Sequence, residues 1–234
     1  MDLLAFGDSG WGDELFYGGL STLGLAVSAL PIGLFMGLVL GLAKASREVT
    51  YRIAGNALTS AFRGLPELLT ILLVYILGQR ALNHVGEWLG YGSGIDLSMF
   101  WSGVAALSIV FAAYSSEVFL GSLRAMEGTS LEAAKALGLG PWVTLRFVTL
   151  PELFRLSRPG LANLWLSLLK QTSLVSVIAY HELLNQSYVA ASSSGAHIFF
   201  YVIVCAIYIL LCAVTGRIFD GMIGIIASDV KQKA

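Results

Sequence analysis

The 234-residue sequence predicts an all-α integral membrane protein with five transmembrane helices, the N-terminus outside and the C-terminus in the cytoplasm. Three observations predict it. Charged residues make up 12% of the chain and hydrophobic ones 56%, whereas a soluble domain carries roughly 25% charge, so there is too little charge to coat a water-facing surface. The apolar residues gather into five runs of membrane-crossing length. Lysine and arginine collect on alternate sides of those runs. The net charge of −1 gives no electrostatic case for nucleic acid.

A hydrocarbon core of about 30 Å needs about 20 helical residues. Leu15 to Ala43 holds no charge and forms the first span. It exceeds the h-region of a signal peptide and lacks the basic segment before it, so it reads as a span rather than a cleaved leader. The second run, Ile53 to Gln79, is interrupted by Arg63 and Glu67. The third, Leu97 to Ser116, is charge-free and continues through Glu117 to Leu123. The fourth, Pro159 to Tyr180, carries Lys170, and the fifth is Ile198 to Gly216. Cys205 and Cys212 share one face of this last helix as packing residues, not a metal or disulfide framework. Trp11, Trp88 and Trp101 suit an outer aromatic belt.

The basic residues orient the chain. The N-terminal segment has none, Lys44 to Arg52 has three, the next loop has only Arg80, and Arg124 to Arg158 has five. The loop around Glu182 has none, and the tail has Arg217, Lys231 and Lys233. By the positive-inside rule the basic segments are cytoplasmic, and an odd number of spans requires the termini on opposite sides. The outer segment holding His181, Glu182, Asn185, Gln186, Ser192 to Ser194 and His197 reads as a solvated loop. Residues 1–234 form one membrane domain.

Connections in helical bundles are usually about 2–8 residues, yet the third, residues 124–158, is far longer and carries its own helix signals. Thr129 and Glu132 fit a capping box. Glu132-Ala133-Ala134-Lys135-Ala136 are helix formers, Gly138 and Gly140 end the helix, and Pro141 suits the first turn of a second. Trp142, Leu145 and Val148 lie on that second short helix, which Pro151 closes. The pattern fits either a helix pair lying on lipid or a docking element.

Glu132-Ala133-Ala134-Lys135-Ala136-Leu137-Gly138, nine residues, then Val148-Thr149-Leu150-Pro151 resembles the EAA loop of ATP-binding-cassette (ABC) importer permeases, with Val148 where isoleucine is usual. Three further elements resemble the polar amino-acid subfamily (histidine, arginine, ornithine or opine): Arg63-Gly64-Leu65-Pro66-Glu67-Leu68, Ala113-Tyr114-Ser115-Ser116-Glu117, and Lys170-Gln171-Thr172-Ser173-Leu174-Val175-Ser176. The third-span element departs from the family pattern, with Leu120 where an arginine is usual. The resemblance implies a type I importer fold and a bacterial inner-membrane location. It also implies a coupling helix at Glu132, Ala133, Ala134 and Gly138, with Leu150 and Pro151, that seats in a separate ATPase subunit. A second permease chain or a second copy, a periplasmic solute-binding protein and an amino-acid or opine cargo complete the implied assembly.

The sequence has no G-x-x-x-x-G-K-[ST], so ATP and magnesium would belong to the partner ATPase, and no Ser/His/Asp, Cys/His or HExxH arrangement suggests an enzyme. Ionisable residues inside spans are costly and face a cavity or a partner. Arg63 and Glu67 stand at i,i+4, which suits an intrahelical pair, while Arg63 and Lys170 also suit snorkelling to the cytoplasmic ends. Two accounts of Glu117 stand side by side: a cationic substrate head in a midplane cavity, with Tyr114 and Ser115 beside it, or an ion pair with a neighbouring helix. Glu67 and Thr172 complete the candidate substrate residues. The competing function is an ATP-independent secondary transporter or small channel, against which the lack of two-fold internal repetition counts.

Overall fold

The computed structural model of the chain describes residues 3–7, 10–89, 96–126 and 130–232. Its elements are α1 (Gly12–Ala45), α2 (Val49–Gly64), α3 (Glu67–Trp88), α4 (Met99–Ala125), α5 (Ser130–Ala136), α6 (Pro141–Thr144), a π turn (Leu145–Thr149), α7 (Leu150–Gln171), a 3-10 segment (Thr172–Ile178), α8 (Leu183–Ser194) and α9 (His197–Gln232). Among the described residues five helical stretches are long and apolar enough to cross a membrane: Gly12–Ala45, Glu67–Trp88, Met99–Ala125, Pro141–Ile178 and His197–Phe219. Thr129 of the expected capping box lies outside the described residues.

The bundle is built around α4. In its most apolar window 72% of residues are buried, against 11% in α3 and α9, so those two helices present their apolar faces outward. Apolar side chains gain nothing by leaving lipid, and helices in a bilayer associate by close backbone packing at small residues. Gly33, Gly37 and Gly41, four residues apart on α1, supply that surface. A Cβ at Gly33 would lie 2.9 Å from Phe111, one at Gly41 would lie 2.9 Å from Phe119, and one at Gly37 would collide with the Ser115 hydroxyl. Residue numbers rise together along both helices, so α1 and α4 run parallel, as first and third spans must. Ser108 Oγ donates across the seam to the Ala29 carbonyl at 3.1 Å. The core continues through Leu161, Trp165 and Leu168 of α7. Trp165 then stacks on Phe219 at 5.3 Å and donates to Thr215 Oγ1, which ties α9 to α7.

Four sequence expectations need correction. The second run is not one helix: Leu65 is extended (φ −85°, ψ 141°), as the residue before a proline prefers, and Pro66 separates α2 from α3. Leu58, Thr59 and Phe62 of α2 share a small apolar cavity with Met36 and Leu40 of α1 and Ile109, Ala112 and Ala113 of α4. The break therefore lies level with the middle of α4. Secondly, Pro151 does not close the helix begun at Pro141. The Leu150 N–H reaches back to the Leu145 carbonyl, a π turn immediately before the proline, and the fourth span extends over Pro141–Ile178. A proline inside a helix clashes with the carbonyl four residues earlier; widening the preceding turn shifts that carbonyl away.

Thirdly, the outer segment expected as a solvated loop is the helix α8, with Leu183, Ser187, Ala190 and Ala191 buried. They join Leu15 of α1 with Phe200 and Val204 of α9 in a second apolar cluster. Glu182, fully buried, caps α8 by accepting from the Leu184 and Asn185 amides at 2.9 and 2.8 Å. Thr22 Oγ1 of α1 and Tyr208 Oη of α9 also donate to it, at 3.5 and 3.2 Å. Burial pushes this carboxyl above the ordinary range, while the two amides pull the other way. The packing expected of the cysteines holds only for half-buried Cys212, since Cys205 is exposed on this chain's surface.

Gly37→Ile, which wedges α1 from α4, is expected to abolish recovery of folded protein from membranes, whereas Gly64→Ala, with open space around its Cβ, keeps it; size-exclusion profiles of the two check this. Glu182→Ala is expected to cost about 1–3 kcal/mol and to speed amide exchange at Leu184 and Asn185. Because folding raises the Glu182 value, its stabilising contribution is full at low pH and declines as pH rises through that raised value. Protection factors of the α8 amides should therefore fall with rising pH, and Glu182→Gln should flatten the profile.

Candidate functional site

Three regions hold the residues to which the sequence draws attention. The first is the segment from Ser130 to Thr149, which follows α4 at the basic end of the bundle. α5 closes in a Schellman turn: Leu139 N–H bonds to the Ala134 carbonyl at 3.1 Å, and Gly138 takes φ +68°, which suits glycine because it lacks a Cβ. Glu132 and Ala133 are exposed, while Ala134 is buried. Leu137 is 76% exposed and Trp142 70%. Leu137 lies between the membrane-length helices, and Trp142 at the very start of the fourth of them. Leu150 and Pro151 are half-buried at the start of α7.

The second region lies where α1 ends. Lys44, its side chain fully buried, meets Glu117 of α4 at 2.8 Å. Its ammonium also donates to Thr59 Oγ1 and Ser116 Oγ, each at 3.2 Å. Both hydroxyls spend their own protons on helix carbonyls, Gly55 and Ala113, and so turn lone pairs toward the cation. Arg63 pairs with the same Glu117 oxygen and lies over the Tyr114 ring at 5.9 Å. The expected Arg63–Glu67 pair does not form, because the break at Leu65-Pro66 destroys the helical register between them. Lys44, which the sequence offered only as one of a basic run, is the hub joining α1, α2 and α4. Glu117 and Arg63 remain 36% and 39% exposed. Ser115 is buried, with its hydroxyl bonded to the Ala112 carbonyl.

The third region joins the two interrupted helices. Glu67, in the first turn of α3, accepts a 2.7 Å hydrogen bond from Gln171 Nε2, at the end of α7. Glu67, Ser167, Lys170, Gln171 and Leu174 line an open cavity of about 370 Å³. Thr172 is buried beside it and donates to the Leu169 carbonyl at 2.6 Å. Lys170 does not snorkel to the basic end: about 20 residues of α7 at 1.5 Å each put it some 30 Å from Leu150. Gln171 carried no sequence signal beyond its place beside Lys170. Among the described residues no group of three or more His, Cys, Asp or Glu gathers as a metal site.

Charged and amide side chains facing a cavity within an otherwise apolar span, with an exposed helical segment at one end, define a membrane transport component. The chain belongs to the family described as binding-protein-dependent transport system inner membrane component, which it matches over residues 29–229. The nopaline transport system permease protein of Agrobacterium fabrum is 37% identical over 218 residues, 93% of this chain and 92% of that protein. The octopine transport system permease protein of Rhizobium meliloti is 32% identical, covering 94% and 92%. The arginine ABC transporter permease protein of Escherichia coli K12 is 33% identical, covering 81% and 85%. Among solved structures, an amino acid ABC transporter crystallised with histidines aligns with a TM-score of 0.72 at 27% identity, covering 94% of this chain and 95% of that one. An inward-facing MetNI methionine ABC transporter shares the fold, with a TM-score of 0.71 at 19% identity over 91% and 96%. The expected type I importer fold is thus observed, and the ATP-independent carrier or channel is not favoured.

The Lys44–Glu117 contact should be energetically coupled. Lys44→Met and Glu117→Gln are each expected to cost about 1.5–3 kcal/mol, the scale of charged hydrogen bonds. The double variant should lose less than the sum of the two, read from thermal unfolding in detergent; strict additivity would show that the contact carries no energy.

Proposed function

We propose that this chain is the membrane subunit of an ATP-driven importer of amino acids or opine-type conjugates, itself non-catalytic, with ATP and magnesium held by separate ATPase chains. A second permease chain, either a homologue or another copy, completes the path, and a periplasmic binding protein delivers the solute. One observation carries the coupling half of this reading. The Schellman turn that ends α5 carries Leu137 almost bare, with Trp142 exposed at the start of α6, and large apolar side chains left uncovered beside a membrane protein's basic end mark a surface for a partner. With the basic end in the cytoplasm, as the distribution of lysine and arginine requires, the partner is a cytoplasmic protein. The ATPase meets Glu132, Ala133 and the Gly138 turn, while Leu150 and Pro151 pass its movement into α7.

The cargo half rests on the relatives, whose names include nopaline, octopine and arginine, and on the polar cavity at Glu67. Glu117 and Tyr114 in this reading hold Arg63, while Ser115 and Thr172, spending their hydroxyls on their own helices, shape the path. Glu132→Arg and Gly138→Arg are expected to leave membrane insertion intact, to reduce co-purification of the ATPase about tenfold or more, and to stop uptake. Gly138→Arg acts by strain, since an arginine is disfavoured at φ +68°. Full uptake with undiminished ATPase capture in both variants would reject the docking role.

A further inference from the structure

We propose that the groove between α1 and α2 binds an anionic glycerophospholipid of the leaflet at the basic end. One acyl chain lodges in the cavity behind α2, and Arg47 and Arg52 hold the phosphate. Neither the cargo nor the ATPase enters this assignment, which needs only that the chain lies in a bilayer. Met36 and Leu40 of α1, Leu58 and Phe62 of α2 and Ile109 of α4 surround a cavity of about 190 Å³. Thr59, the polar side chain in its lining, has its hydroxyl committed, donating to the Gly55 carbonyl at 2.9 Å and accepting from Lys44 at 3.2 Å. A void without free polar groups does not hold water, and while it is empty its walls forgo dispersion contacts. Met36 and Leu58, both exposed, mark its mouth, where the filler at membrane depth is a hydrocarbon chain.

The course of α2 leads from this cavity to the membrane surface. Tyr51, Leu58 and Phe62 stand at i, i+7 and i+11, on one face of the helix, and Tyr51 is exposed. From Tyr51 to Phe62 the helix rises about 17 Å, close to one leaflet of a hydrocarbon core about 30 Å thick. α2 therefore reaches from the bilayer surface to its middle and ends there, at the extended Leu65 before Pro66. A lipid standing alongside it places its chain end at Phe62 and its glycerol at Tyr51.

Charge at that surface selects the headgroup. Arg47, in the link between α1 and α2, and Arg52, in the first turn of α2, are both exposed. Among the described residues neither enters an ion pair. Glu48 stands between them in the chain, so the two arginines leave positive charge in excess, and the N-terminal end of the α2 dipole adds to it. Arginine binds phosphate through two parallel N–H bonds, and the Tyr51 hydroxyl is a further donor at the same level. An anionic lipid is drawn to such a site, whereas a zwitterionic lipid brings its own ammonium to it and gains less.

The test is photocrosslinking in the complete transporter complex, with Leu58, exposed at the mouth of the cavity, replaced by p-benzoyl-phenylalanine. The complex is irradiated in nanodiscs holding equal amounts of phosphatidylglycerol and phosphatidylcholine, and the chain is weighed by mass spectrometry. Adducts of phosphatidylglycerol mass are expected to exceed those of phosphatidylcholine at least fivefold. Adducts confined to a second permease chain overturn the proposal, because they show that a protein covers the groove. Equal yields of the two lipids overturn it too, because they show unselective packing around the bundle. Arg47→Gln together with Arg52→Gln should bring the two yields within about twofold, since each arginine near a membrane surface is worth about fivefold. Arg80→Gln, beyond the other end of the bundle, should leave the ratio unchanged. Phe62→Trp, which fills the cavity, should lower both yields severalfold at an unchanged ratio, whereas Phe35→Trp on the exposed face of α1 should not. An assembled Phe62→Trp complex with undiminished yields overturns the seat assigned to the acyl chain.

Discussion

Two helices in a bilayer come only as close as their side chains allow, and the approach of α1 to α4 governs the rest of this molecule. Gly33, Gly37 and Gly41 give α1 a face without side chains, into which Phe111, Ser115 and Phe119 of α4 fit. That register settles what lies beyond it. Lys44 follows Gly41 by one turn and arrives against Ser116 and Glu117. α2 then folds back along the seam and brings Thr59 to the same ammonium. A buried ammonium that would be prohibitively expensive in lipid is admissible because the glycine seam brings it against Glu117, Thr59 and Ser116.

Charge inside the bundle is handled in two ways. At the end of α1 it is neutralised: two cations share one carboxylate, and each hydroxyl that faces Lys44 has committed its own proton elsewhere. At the outer side a lone carboxyl, Glu182, is satisfied by amides and hydroxyls instead of a cation. Burying an ion costs several kcal/mol unless its lone pairs are all used, and four donors from three helices meet that requirement. The same four donors fasten α8 to α1 and α9, so the solution to an electrostatic problem is also a tertiary clasp.

Much of this was legible beforehand, and the failures have identifiable causes. The spans were readable because a bilayer imposes one length and one polarity on every helix that crosses it, and the EAA pattern lies on the exposed helix where its capping glycine placed it. The i,i+4 spacing of Arg63 and Glu67 misleads because Pro66 stands between them, and a residue preceding proline leaves helical geometry. Pro151 misleads in the opposite direction, since nothing local announces a π turn that lets a helix pass through a proline. Glu182 gave no signal because glutamate ranks low among capping residues and its partners Thr22 and Tyr208 are remote in sequence. Lys44 and Gln171 carry no local signal for the same reason: their significance comes from which helix faces them.

The rod that begins at Pro141 does not stop until Gln171, a length of about 45 Å uninterrupted by any loop. Trp142 rides on one extremity and Lys170 on the other. One unbroken helical backbone, without intervening coil, therefore joins the aromatic end to the ammonium. The rod departs from ideal α geometry at the widened turn Leu145–Thr149 and carries a second proline, Pro159, within it, the positions where a helix bends most readily.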